Sequence, residues 1–435
     1  MNAQTMPAPQ PRGAAFANAN FRWLMSGACL SMVGDQFTLI ALPWLVLRLT
    51  GDPLALGLAI ALMSVPRAAF ILLGGALVDR YSPKRVMLLT KYASTVLLGA
   101  LAALTLAGQV NLPMVYGFAL AIGLSQAFAI PSGTSMLPRA MPPGLLQAAN
   151  GAMMGLRQIA MLAGPLLAAL MMALASNDGR AGELRGLGLA FAIDCLSFVV
   201  SAWTLSRVAL LPAPPGPAPS QLLRAVADGV RGVWRDQAMR SCFLYWGVVS
   251  FFVGGSLQVA LPVLASDALH SASAFGVLMG AHGAGTLLGM ALSALTGKRL
   301  RLPFGAMILL GDVIAGLLII PLGAIGVLWQ GVVLLGVLGM LMGFMQVAVF
   351  TWIQQRVALT MMGRVMSIFM FIFMGLAPLS AAFTGSVLQF LTLAQLFACS
   401  GMALLLCALL AGLLTPMGSI RSAPAGQEAS PGKPG

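Results

Sequence analysis

Six ionisable side chains stand inside long apolar runs: Asp35, Arg67, Arg157, Asp194, His282 and Asp312. A charge at the centre of a bilayer costs about 2.5–3.5 kcal/mol on insertion scales, so such residues face a cavity, a partner or a task. The chemistry open to these six is proton exchange, ion pairing and the binding of charged groups. Asp35, between Gly34 and Gln36, can carry a proton or hold a cationic ligand; structural ion pairing is its other reading. Arg67 can bind an anion or neutralise Asp35. Arg157, seven residues before Gly164, can line the mouth of a cavity or brace the scaffold. His282 is an imidazole suited to a proton step, or a polar side chain satisfied by its neighbours. Asp194 and Asp312 suit helix packing and lipid contact as well as function. No G-x-x-x-x-G-K-[ST], H-E-x-x-H or G-x-S-x-G occurs. The five cysteines include no C-x-x-C pair, so no disulfide framework, metal site or cofactor is expected.

The elements that position these residues follow from composition. Of 435 residues only 8% are charged and 59% are hydrophobic, with a mean hydropathy of +0.93. Ordinary soluble chains carry roughly 25% charge, and no soluble domain hides so much apolar surface. A water-soluble enzyme is excluded. So is a single-pass receptor, because apolar runs extend from about residue 21 to about residue 415. At about 20–25 residues per crossing, twelve helices account for the chain: 21–48, 55–77, 87–107, 113–137, 148–174, 188–209, 240–265, 273–296, 304–324, 328–352, 364–389 and 393–415.

The proline run Leu211-Pro-Ala-Pro-Pro-Gly-Pro-Ala-Pro219 cannot continue a helix. It divides a six-helix bundle, 21–210, from a second, 240–415, through a linker at 211–239. Residues 1–20 and 416–435 read as flexible tails. Within the linker, Ser220 to Arg240 suits a helix on the membrane surface. The net charge of +13 calls for a membrane rather than a nucleic acid. With the N-terminus inside, nineteen Lys and Arg fall on inner segments and three on outer loops. The positive-inside rule then places both termini in the cytoplasm. A shift of 219 residues lays Ala41-Leu-Pro43 on Ala260-Leu-Pro262, Gly57 on Gly276 and Arg80 on Arg299. Such a repeat suits two bundles about a pseudo-two-fold axis with a binding site between them.

Between the second and third spans stands Gly75-Ala-Leu-Val-Asp79-Arg80-Tyr-Ser-Pro-Lys84-Arg85. It resembles the G-x-L-x-D-R…K/R signature of the major facilitator superfamily, with Ser82 in place of the usual glycine and Pro83 in place of a basic residue. Asn20-Phe-Arg-Trp, Val33-Gly-Asp35, Ala41-Leu-Pro43, Leu137-Pro138, Ala149-Asn150 and Gly363-Arg-Val-Met-Ser367 are spaced like the subgroup that contains bacterial macrolide-efflux and enterobactin-type siderophore exporters. The likeness covers roughly residues 18–415. It implies docking of Asp79 on the start of helix 11, near Gly363 and Arg364, with Gly75, Arg80, Lys84 and Arg85 as parts of the same conformational gate. The counterpart Gly297-Lys298-Arg299 has no acid. In helix 5, Ala160-Met-Leu-Ala-Gly164-Pro165-Leu-Leu-Ala168-Ala169 is similar to the exporter motif G-x-x-x-G-P-x-x-G-G, with alanine at three glycine places. The basic residue of many drug exporters in helix 4 is missing, and Gln126 is the polar residue there.

The resemblance implies an all-helical transporter of the bacterial inner membrane, with two six-helix bundles working by alternating access. Its expected partners are a small molecule (drug-like, lipophilic or siderophore-type), protons and the bilayer, and the chain is expected to be a monomer. Asp35 and His282 are the candidates for proton coupling. Asp35, Arg67, Gln126 and Arg157 are the candidates for the substrate cavity. An importer or facilitator on the same fold, and an integral membrane enzyme acting on lipid, are the alternatives.

Overall fold

The computed structural model describes residues 14–80, 82–175, 179–211, 230–296, 302–357 and 359–420. Among them every regular element is helical. The first half holds α1 (Ala19–Thr50), α2 (Pro53–Arg80), α3 (Pro83–Leu106), α4 (Leu112–Ala140), α5 (Leu146–Ala175) and α6 (Gly179–Ser206). The second holds α7 (Gln237–Asp267), α8 (Ala272–Thr296), α9 (Phe304–Ile319), α10 (Leu328–Arg356), α11 (Leu359–Gly375), α12 (Ala377–Val387) and α13 (Leu393–Leu414). Among the described residues eleven runs are long and apolar enough to cross a membrane, α11 and α12 forming one of them. In α2 the described apolar run, Pro53–Arg67, is shorter.

Local chemistry sets several ends. The Asn18 side chain accepts the Asn20 and Phe21 N–H groups at the start of α1, and Gly51 ends that helix at φ 64°. α7 starts on Asp236, whose carboxylate accepts the Ala238 and Met239 N–H groups. Pro378, at the second position of α12, brings no donor, and the eleventh span is interrupted at Leu376.

Three expectations are corrected. Residues 14–20 are not a loose tail: Ala14–Ala17 form a helical turn, Ala15 is buried, and Phe16 packs edge-on against Phe21 at 5.4 Å. Residues 416–420 are likewise ordered. They form a 3-10 turn with Met417 and Ile420 buried, and the Ile420 carbonyl accepts the Gly305 N–H at 3.0 Å. The sixth span begins at Gly179 rather than 188, because Glu183 pairs with Arg48 of α1 at 2.6 Å and the helix runs on to reach it. The Pro-rich part of the linker, with Ser220 and Arg224, and the loop at Lys298 and Arg299 lie outside the described residues.

The two halves use one contact plan. α1 packs on α5 and α6, α2 on α4, and α3 on α6. Correspondingly, α7 packs on α12 and α13, α8 on α10, and α9 on α13. The halves meet most extensively at α2 against α12 and α5 against α8. Each contact is built on a glycine of the 219-residue repeat. A Cβ on Gly57 would lie 2.6 Å from the Ala381 carbonyl oxygen, and one on Gly276 would lie 2.7 Å from that of Pro165. Only a missing side chain allows backbones that close. Near the α5–α8 contact a cleft is lined by Trp44, Glu183 and Leu187 of the first half and by His270, Ser271 and Ser273 of the second.

Candidate functional site: a buried polar seam beside the inter-half contact

The face of α1 that carries Gly27, Ser31, Gly34 and Thr38 follows helical spacing and meets Asp194, Ser197, Ser201 and Thr204 of α6. A Cβ on Gly34 would clash with Ser197 Oγ and fall 2.5 Å from Asp194 Oδ1, so the glycine is what admits the carboxylate. Asp194 is 1% exposed and accepts hydrogen bonds from the Thr38 and Ser197 hydroxyls. Lys91 of α3 enters the same seam and is 6% exposed. Its ammonium donates to Ser201 Oγ at 2.5 Å and to Ser31 Oγ at 3.4 Å, and it stands 5.4 Å from the centre of the Phe198 ring. Asp35 lies one turn beyond Ser31 on α1, within electrostatic reach of Lys91 and Arg67.

Arg67 does not simply neutralise Asp35: its guanidinium donates to Gln126 Oε1 of α4, while its buried Nε has no hydrogen-bond partner. Two cavity candidates are thus joined, and a planar donor remains in a buried site. The helix-5 motif connects this cluster to the other half. A Cβ on Gly164 would lie 2.6 Å from Cβ of Gln36, next in sequence to Asp35. Ala160, Pro165 and Ala169 are buried, and Pro165 and Ala169 receive Gly276 of α8. The small residues therefore serve α1 on one side and α8 on the other.

The remaining candidates lie apart. His282 is in the seam between α8 and α10. Its backbone packs against Gly339 of α10, and its Nδ1 is buried without a hydrogen-bond partner. Asp312 of α9 accepts the Tyr245 hydroxyl of α7 at 2.6 Å. Arg157 is exposed on α5. Of the residues expected to form a gate, Gly75, Asp79 and Arg80 belong to α2 and Gly363 to α11, two helices in contact. The side chains of Asp79 and Arg80 lie outside the described residues, as does the setting of both glycines. Lys84 donates to the Ser206 and Val208 carbonyls, each at 2.7 Å, and so caps α6. Arg85 is exposed. Arg364 donates to Met361 Sδ at 3.4 Å. At the start of α7, burial works against the Asp236 charge. The two hydrogen bonds from Arg356, at 2.6 and 2.9 Å, and those from the Met239 and Ala238 amides outweigh it and hold the carboxyl below its ordinary range.

Sequence reasoning missed Lys91, which it counts among the inner basic residues that orient the chain. Without it the charge split is eighteen to three. The available signal is its distance from that group: Val86-Met-Leu-Leu-Thr90 separates it from Arg85, and it stands more than two turns into α3.

Comparison with known proteins agrees with this architecture. Enterobactin exporter EntS of Salmonella choleraesuis (strain SC-B67) is 26% identical over 351 residues, covering 79% of this chain and 80% of that protein. EntS of Shigella dysenteriae serotype 1 (strain Sd197) is 24% identical over 352 residues, 79% of each. Among solved structures, the nucleoside transporter NupG superposes with a TM-score of 0.68 at 13% identity over 91% of this chain and 98% of its own. A bacterial homologue of the human lysosomal transporter Spinster, solved inward-facing and unoccupied, superposes with a TM-score of 0.65 at 14% identity over 95% and 97%. The profile of the Major Facilitator Superfamily matches residues 24–382, and the chain belongs to that superfamily of membrane transporters.

Proposed function

We propose that the chain is a proton-coupled exporter of small molecules in a bacterial inner membrane. Twelve spans form two bundles, 21–210 and 240–415, with both termini in the cytoplasm. The EntS relatives support export and a siderophore-type or comparably lipophilic substrate. The observation that carries the coupling is the place of Asp35. It lies within electrostatic reach of the cations Lys91 and Arg67, one turn from Ser31, to which Lys91 donates. Through Gln36 and Gly164 it adjoins the α5–α8 contact between halves. A carboxylate so placed changes its surroundings whenever α5 and α8 move, and a site whose surroundings change with opening can couple a proton to substrate movement. Asp79 docks on the start of α11, near Gly363 and Arg364, when the transporter faces outward.

The test is accumulation in inverted membrane vesicles under an imposed proton gradient, screened across catecholate siderophores, antibiotics and dyes. The expected result is uptake that collapses with a protonophore. Substrate movement in the opposite direction, or uptake indifferent to the gradient, would overturn the reading.

A further inference from the structure

Lys91 and Asp194 are both deeply buried, and proton coupling through Asp35 alone leaves both without a task. A buried ammonium and a buried carboxylate are each costly in lipid, and packing α3 against α6 needs neither, since small hydroxyls alone would satisfy the seam. Lys91 is also not locked to one acid. Its ammonium donates to two hydroxyls, Ser201 and Ser31, and both Asp35 and Asp194 act on it electrostatically. On α1 the ammonium lies at Ser31, one turn from Asp35. On α6 it lies at Ser201, two turns from Asp194, with Ser197 between. The Asp194 carboxylate is held by two hydroxyls, Thr38 and Ser197, in a space that Gly34 leaves open. The charged and titratable groups facing the seam from the packed helices are Asp35 on α1, Arg67 on α2, Lys91 on α3, and Asp194 and Cys195 on α6. From α4 it receives a hydroxyl, Ser125, bonded to Ser94 at 2.9 Å.

We propose that the coupling machinery extends to α3 and α6: Asp194 is a second proton-carrying carboxylate, and Lys91 is the positioning cation that it shares with Asp35. A proton from water adds to one carboxylate and forms its O–H bond. Lys91 then balances the other, and loss of that proton to water on the opposite side restores the first arrangement. This rests on the proton-coupled reading above, and the experiment separates the two.

Purified protein in lipid vesicles is titrated while the carboxylic acid C=O stretch is followed by infrared difference spectroscopy, which needs no substrate. Of the wild type's acid bands, Asp194→Asn removes one and Asp35→Asn another. Lys91→Gln moves the titration midpoint of these two bands by about one pH unit or more, whereas Lys91→Arg keeps it. If Lys91→Gln folds poorly, the double variant Lys91→Gln/Asp194→Asn, which removes both buried charges, recovers the wild-type yield and melting temperature. An unchanged spectrum in Asp194→Asn, or a midpoint indifferent to Lys91→Gln, overturns the proposal. Two intact, coupled bands in a protein that moves no substrate along a proton gradient uphold the pair and overturn the transport reading instead.

Discussion

In the first half of the molecule, the seam between α1, α3 and α6 is polar: Ser31, Thr38, Lys91, Asp194, Ser197 and Ser201 are all buried in it. The corresponding region of the second half, between α7, α9 and α13, keeps two separate polar links, Tyr245 with Asp312 and Ser256 with Ser400, both at 2.6 Å. Its neighbour toward α10 and α11 is aromatic. Trp352 stacks on Phe304 with centroids 4.7 Å apart and meets Trp246 edge-on at 6.4 Å, while Trp246 and Phe243 pack on Phe369. One contact plan thus supports two chemistries. Aromatic packing is a stable solution in an apolar setting, whereas buried charge is retained where it has work to do. On the proton-coupled reading, the first half handles the proton and the second is its rigid counterpart.

Substitutions on either side put this division to the test. Trp352→Ala removes a side chain that is 2% exposed at the centre of the aromatic core, which corresponds to about 3–5 kcal/mol. Thermal unfolding in detergent should show a larger loss of stability than any single substitution in the polar seam, while the pH dependence of transport in the folded fraction stays as in the wild type. Gly34→Val attacks the polar seam. Its new side chain meets Ser197 and Asp194, an overpacking worth about 1–3 kcal/mol. Stability should fall less than in Trp352→Ala, yet the pH profile of transport should change. The reverse order of pH effects would erase the distinction between the halves.

Smaller effects are expected at two further pairs in the second half. Tyr245→Phe withdraws the hydroxyl donor from Asp312, at a cost of about 1–3 kcal/mol. Melting temperature should drop with transport coupling intact. At the start of α7, Asp236 has a depressed proton affinity, so its pairing with Arg356 contributes stability above the ordinary carboxylate value of about 3.9. That contribution is lost as pH falls through the lower folded value. Because both side chains are about a third exposed, the pair is worth about 0–1 kcal/mol. Comparing the pH dependence of unfolding for Asp236→Asn with that of the wild type should show a gap near neutral pH that closes in acid.

The repeat is legible in the sequence because its markers are side chains with a backbone consequence. Pro43 and Pro262 fall inside α1 and α7, and Gly57 and Gly276 sit where the halves touch. Asp35, Arg67 and Gln126 are legible as polar residues in apolar runs, but their pairing is not. Which acceptor Arg67 takes depends on the rotation of α2 against α4. Lys91 misleads because hydropathy treats any lysine near a loop as an orienting charge, whereas its burial depends on the hydroxyls of Ser31 and Ser201 converging from two other helices. The start of α6 reads too late for a similar reason, since Glu183 is stabilised by an arginine on another helix.

Coupling of a proton to substrate movement through Asp35 is tested most directly by measuring gradient-driven accumulation and downhill exchange side by side. Both are followed in vesicles containing Asp35→Asn, with expression and melting temperature matched to the wild type. If Asp35 carries the coupled proton, accumulation against the gradient is lost while downhill exchange persists. A well-folded Asp35→Asn protein that still builds a normal, pH-dependent substrate gradient would contradict that role.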